Sequence, residues 1–116
     1  MSRRSDRAQK VGDQIQRELA ALLRRKLRDP RVGRVTLTGV EMSPDCAHAT
    51  VYFTCLDPAQ VPQAQAGLEH AAGFLRTQLG QHIRLQRMPA LRFVYDASVE
   101  HGDRLARLLR HVRTHE

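Results

Sequence analysis

The feature that most restricts what this chain can fold into is a change of hydrophobic period at Pro30. Before it, Ala8, Val11, Ile15, Leu19, Leu22, Leu23 and Leu27 recur mostly at steps of three and four, which is one stripe of an amphipathic helix. Arg7, Lys10, Gln14, Arg17, Arg24, Arg25 and Arg28 fall on the other side. After it, Val35 and Leu37 alternate with Thr36 and Thr38, the period of a strand with one buried face. The spacing predicts a first helix from Asp6, with Asp6 as its cap and Gln9 completing a capping-box-like pair. About 22 residues of helix would span about 33 Å. Pro30 disfavours helical geometry at Asp29, so the helix is expected to end near Arg28.

The remaining elements follow from the same two periods and their punctuation. The first strand runs from Arg34 to Met42, with Gly39 as the mark of a bulge. Ser43-Pro44-Asp45 is a turn signal, and Ala47 to Leu56 is a second strand, so the two make an antiparallel hairpin. Pro62 suits the start of a second helix, which continues to Gly80 or His82. Its middle, Ala71-Ala72-Gly73, holds only small residues. A Gly inside a helix costs about 1 kcal/mol relative to Ala. The run therefore predicts a kink, or a place where another backbone comes close. Residues 82–89 read as a basic connector and Ala90 to Asp96 as a third strand, with Leu91, Phe93 and Tyr95 on one face. A last helix starts at Ser98, with Leu105, Leu108, Leu109 and Val112 as its stripe. The order helix, strand, strand, broken helix, strand, helix predicts a two-layer α+β domain over residues 1–116, with residues 1–5 and 114–116 as flexible ends.

Charge narrows the function. The net charge is +7, and 17 of the 19 basic residues are Arg. Residues 1–34 hold 11 basic and 4 acidic side chains, residues 35–75 hold none and 4, and residues 76–92 hold 4 and none. Two basic blocks flanking an acidic strand region point to a charged face and a polyanionic partner. Phosphate contacts are expected from Arg7, Lys10 and Arg17 on the first helix and from Arg76, Arg84 and Arg87 further on. Arg31 and Arg34 are weaker candidates, and Arg92 is read as decorating the exposed sheet face. Ala71, Ala72 and Gly73 would let a sugar–phosphate backbone approach. The same small residues would equally suit close helix packing with the Arg side chains merely solvated, and the residues alone do not choose.

Other chemistries lack their constellations. Cys46 and Cys55 are too few for a disulfide framework. The six His show no zinc-type spacing with them, so no metal and no cofactor is expected. No nucleophile–base pair or phosphate-loop fingerprint is present, so neither catalysis nor a small-molecule substrate is expected. No apolar run reaches the roughly 18 residues of a membrane span, and a cytoplasmic protein with reduced thiols is expected.

Four stretches taken together carry a resemblance. They are Asp29-Pro30-Arg31-Val32-Gly33; Val40-Glu41-Met42-Ser43 with Ala49-Thr50-Val51-Tyr52; Ala71-Ala72-Gly73-Phe74-Leu75-Arg76 with Leu79-Gly80; and Pro89-Ala90-Leu91-Arg92-Phe93-Val94-Tyr95-Asp96. In this order and spacing, the chain resembles the bacterial ribosome-binding factor A family. The resemblance implies a KH-like type II fold, with an Ala-x-Gly kink at Ala71, Ala72 and Gly73 where ordinary KH domains carry a Gly-x-x-Gly loop. It also implies a monomeric assembly factor that binds the free small ribosomal subunit and its rRNA. Such a factor supports late maturation and processing of the 5′ end of the rRNA precursor, matters for growth in the cold, and is not itself a nuclease. The alternatives are a generic KH-like module for other RNA or DNA, or a protein-interaction domain using the Leu105–Val112 stripe.

Overall fold

In the computed structural model, residues 3–25, 29–32 and 35–97 are described. The final helix expected from Ser98, with its Leu105–Val112 stripe, lies outside them, as does Arg34. The described chain forms helix α1 (Arg3–Arg25), strands β1 (Val35–Met42) and β2 (His48–Cys55), helix α2 (Val61–His82) and strand β3 (Ala90–Tyr95). Short 3₁₀ turns at Pro30–Val32 and Pro58–Gln60 precede β1 and α2. This is the α+β order expected of the KH-like fold.

The sheet order is β1-β2-β3, antiparallel between β1 and β2 and parallel between β2 and β3. Register runs Val35↔Cys55 to Leu37↔Phe53, then shifts to Gly39↔Tyr52 and Met42↔Ala49. That one-residue slip is the bulge expected at Gly39. Each residue along a strand flips faces, so the slip is what allows Val35, Leu37, Val40 and Met42 all to pack on the core. Thr36, Thr38 and Glu41 stay exposed.

The core lies between the sheet and the two helices. From α1 come Ile15, Leu19, Leu22 and Leu23, from α2 Ala64, Leu68, Ala71, Leu75 and Leu79, and from the sheet Val51, Phe53 and Phe93. Phe53 and Tyr95 meet edge to face, with ring centroids 6.0 Å apart, a favoured aromatic geometry. Each outer strand takes a glutamine amide from a helix. Gln16 Nε2 donates to the Leu37 carbonyl at 3.3 Å, and Gln65 Nε2 to the Phe93 carbonyl at 2.7 Å. Such contacts cover edge groups that would otherwise invite another chain.

Two expectations are corrected. Helix α1 opens at Arg3, so Asp6 lies within its first turn and is not its cap. There its charge favours the positive helix end. Helix α2 is one uninterrupted helix from Val61 to His82; the break expected at Ala71-Ala72-Gly73 is absent. Intrinsic propensity is a weak prior, and the packing of Leu68, Ala71, Leu75 and Leu79 along one buried side carries the helix through Gly73. Thr77 bonds back to the Gly73 carbonyl at 3.0 Å, the i−4 contact that bends helices slightly without breaking them.

Close backbone approach does occur, at two other glycines. A Cβ on Gly12 of α1 would stand 2.8 Å from the Val40 carbonyl oxygen of β1. One on Gly67 of α2 would stand 3.0 Å from Val32 Cγ1 and 3.1 Å from Arg31 Cβ. The chain that carries Val32 onto α2 is pinned by Asp29. Its carboxylate takes the Arg31 amide at 2.9 Å and the Arg31 guanidinium at 2.6–3.0 Å.

Candidate nucleic-acid interface

Helix periodicity places Arg7, Lys10, Gln14 and Arg17 on one side of α1, and all four are exposed. The connector 83–89 alternates in the opposite sense. Ile83 and Pro89 are buried and Leu85 and Met88 pack on the core, while Arg84, Gln86 and Arg87 are exposed. Anchoring the connector on its apolar residues aims its arginines at solvent. The two segments meet at a groove of about 280 Å³, where Arg7 and Val11 of α1 face Leu85 and Arg87, with Pro44, Asp45 and Cys46 of the hairpin turn alongside. A second recess, beside Arg7, Lys10 and Gln14, continues along α1. Arg17 lies seven residues beyond Lys10, about 10 Å along the axis.

Arg76 has a different place. Its Nη2 donates to the Met88 carbonyl at 2.8 Å and its Nε to the Pro89 carbonyl at 3.3 Å. It therefore ties the connector to α2 and sets the position of Arg87. Near it, a Cβ on Gly80 would stand 3.6 Å from Met88 Cγ. The structure thus strings Arg76, Arg87, Arg7 and Lys10 along one path. It does not bring Arg84 into either recess.

The small-residue run divides by face. Ala71 is in the core, Ala72 is half-buried, and Gly73 is exposed with nothing within 4 Å of an added Cβ. Gly73 alone of the three presents open space to a partner. Phe74 beside it is 44% exposed, an outward apolar side chain that the sequence analysis did not single out. The signal was available: Leu68, Ala71, Leu75 and Leu79 already complete a 3–4 stripe, and Phe74 stands to one side of it.

Electrostatics favours an anion here. Among the described residues the only ion pair is Asp29–Arg31. Arg7, Lys10, Arg17, Arg84 and Arg87 thus form no ion pair with a described residue, while Arg31, a weaker candidate, is committed to Asp29. Arg92 is exposed on β3, opposite Thr50. The displaced pKa values have local causes away from the path. Hydrogen bonds from the Arg31 side chain and amide hold Asp29 down at about 2. The Ser43 hydroxyl and the Ala47 amide lower Asp45. Glu41 raises Tyr52 by accepting its hydroxyl proton, and burial raises Cys55. Both cysteines are free. Among the described residues there is no group of three His, Cys, Asp or Glu able to hold a metal, and no helix long and apolar enough to cross a membrane.

Comparison with known proteins matches this architecture. The family model described as ribosome-binding factor A matches residues 7–109. The chain belongs to the ribosome-binding factor A family. Ribosome-binding factor A of Thioalkalivibrio sulfidiphilus is 54% identical over 110 residues, covering 94% of this chain and 85% of that protein. The Nitrosomonas europaea protein is 54% identical over 110 residues, covering 94% of each. The crystal structure of ribosome-binding factor A from Thermus thermophilus superposes with a TM-score of 0.70 at 27% identity, over 76% of this chain and 93% of that one. A T. thermophilus ribosome-binding factor A homology model fitted into the cryo-EM map of a 30S–RbfA complex gives 0.64 at 28% identity, over 74% and 91%. Within this family fold, the basic path joins α1 to the connector before β3, and Gly73 and Phe74 occupy the outward side of α2.

Proposed function

We propose that this chain is a ribosome assembly factor that binds the free small ribosomal subunit through its rRNA. The reading is that it supports late maturation and 5′-end processing of the rRNA precursor, and growth in the cold, as a cytoplasmic monomer without catalytic chemistry of its own. The observation that carries it is the convergence of Arg7 and Arg87 on one groove, with Lys10 beside it and none of the three in an ion pair among the described residues. Family membership and the T. thermophilus relative fitted into a 30S complex support the choice of partner. Phosphate is the chemistry such unpaired guanidinium and ammonium groups select. Exposed Gly73 and Phe74 offer an uncrowded surface for a sugar or base edge, so the small residue acts as a shape device and the basic side chains supply affinity.

Binding to purified free small subunits, measured against salt, tests this reading. Affinity is expected to fall steeply as salt rises, because bound phosphates release counterions. The triple variant Arg7→Glu, Lys10→Glu, Arg87→Glu should weaken binding by more than about tenfold and flatten the salt slope by about three. An unchanged affinity in that variant, or equal affinity for free subunits and assembled ribosomes, would defeat the proposal.

A further inference from the structure

The connector between α2 and β3 has little main-chain support. Among the described residues, no backbone–backbone hydrogen bond joins residues 84–89 to another part of the chain. Ile83 before it donates its amide to the Leu79 carbonyl at 2.8 Å, and Ala90 after it donates to the Ala47 carbonyl at 2.9 Å. Between these points the polar restraint is Arg76, through Nη2 to the Met88 carbonyl and Nε to the Pro89 carbonyl. One planar fork thus grips two successive carbonyls, a geometry that a guanidinium supplies and an ammonium on a flexible stem does not. The Pro89 side chain is fully buried, which fixes the far end of this grip. Gly80, four residues along the same face of α2, leaves room for Met88, with an added Cβ 3.6 Å from Met88 Cγ. Arg87 comes immediately before Met88, and its exposed side chain lines the groove that Arg7 also lines. Arg76 itself lines neither that groove nor the recess beside Lys10. The Nε–Nη2 edge that would take a phosphate as a bidentate pair is occupied by the connector.

We propose that Arg76 is a positioning residue of the RNA surface. It adds to affinity by holding the Met88 and Pro89 carbonyls, and so keeping Arg87 in the groove with Arg7, and not by taking a phosphate of its own. The proposal rests on the rRNA reading above and assigns a role within it. An Arg87 on a loose connector would have to be ordered at each binding event, and that entropy opposes association, whereas a held Arg87 is preorganised. At position 76 the shape of the side chain then matters more than its charge.

The test is a double-mutant cycle in the full chain, read as affinity for purified free small subunits. Arg87→Gln and Arg76→Met should each weaken binding about fivefold. The double variant should fall no more than about twofold below either single one, because the two residues act as a unit. Arg17→Gln combined with Arg76→Met should instead give the product of the separate losses, since Arg17 stands on α1 away from the connector. A general loss of packing would not couple Arg76 to Arg87 and spare Arg17. Arg76→Lys keeps the charge and loses the fork, so it should bind within about twofold of Arg76→Met. Without RNA, the Arg87 and Met88 amides should shift and exchange faster in Arg76→Lys, while those of Lys10 and Arg17 stay in place. Unmoved connector amides, wild-type binding by Arg76→Lys, or independent losses from Arg76→Met and Arg87→Gln would overturn the proposal, the last two making Arg76 a phosphate contact. An Arg87→Gln chain that binds like the wild type would instead defeat the rRNA reading of this groove, and the proposal with it.

Discussion

Gly12 and Gly73 are both helical glycines, and their surroundings are opposite. Gly12 lies on the buried side of α1, where a Cβ would run into the Val40 carbonyl at 2.8 Å. Gly73 lies on the exposed side of α2, where a Cβ would meet nothing within 4 Å. One glycine lets two elements of the same molecule come together. The other costs helix stability and returns no internal contact. Missing bulk in a helix is therefore explained by the fold at Gly12, whereas at Gly73 no contact among the described residues explains it. The same division separates the two faces of α2, where Leu75 is fully buried and its neighbour Phe74 is 44% exposed.

Substitutions can break this contrast, and the largest effect is expected at Leu75. Leu75→Ala should cost about 3 kcal/mol in urea unfolding, as buried leucine truncations do, while Phe74→Ala should cost about 1 kcal/mol. Similar losses at both positions would mean that Phe74 is part of the core after all. Next comes Gly12→Ala. The added methyl meets backbone, which cannot rotate away, so overpacking should outweigh the gain in helix propensity and cost about 1–2 kcal/mol. A stabilised variant would show that α1 is free to lift from β1.

Gly73→Ala should do the reverse and stabilise the chain by about 1 kcal/mol, because an open helical site gains propensity without a clash. Under the proposed function the same variant should bind small subunits less well, so stability and binding would move in opposite directions. A gain in both would leave Gly73 without a role at the interface.

The smallest effect concerns the turn that carries Val32 onto Gly67. Asp29 is held at about 2 in the fold against an ordinary value of 3.8, chiefly by the Arg31 side chain. A lowered folded pKa gives stability that is fully present above pH 3.8 and disappears as pH falls through about 2. In acid titrations, Asp29→Asn should remove a small, salt-screened part of the stability loss between those values. An unchanged acid profile would mean that the pair contributes only position.

The sequence made much of the fold legible. Both helices, all three strands, the hairpin and the bulge at Gly39 follow from apolar spacing and from Pro and Gly placement, because those signals are local. The basic candidates on α1 and in the connector were legible as residues but not as a site. That Arg7 faces Arg87 depends on the packing of Leu85 and Val11, a contact between segments more than 70 residues apart. Arg76 read as a phosphate ligand, whereas its guanidinium holds the Met88 and Pro89 carbonyls, which no spacing rule reveals.

What the sequence determined by itself was the set of elements, the sign and distribution of charge, and the four stretches shared with the ribosome-binding factor A family. Only the tertiary structure decided which small residues matter and to whom. It carried α2 unbroken through Ala71-Ala72-Gly73 because four buried side chains on one face outweigh one glycine's propensity. It assigned the close approach to Gly12 and Gly67, and it left Phe74 partly exposed beside the buried Leu75. The physical reason is common to all three. Propensity and charge belong to single residues, whereas burial, clearance and the pairing of grooves exist only between segments once they have packed.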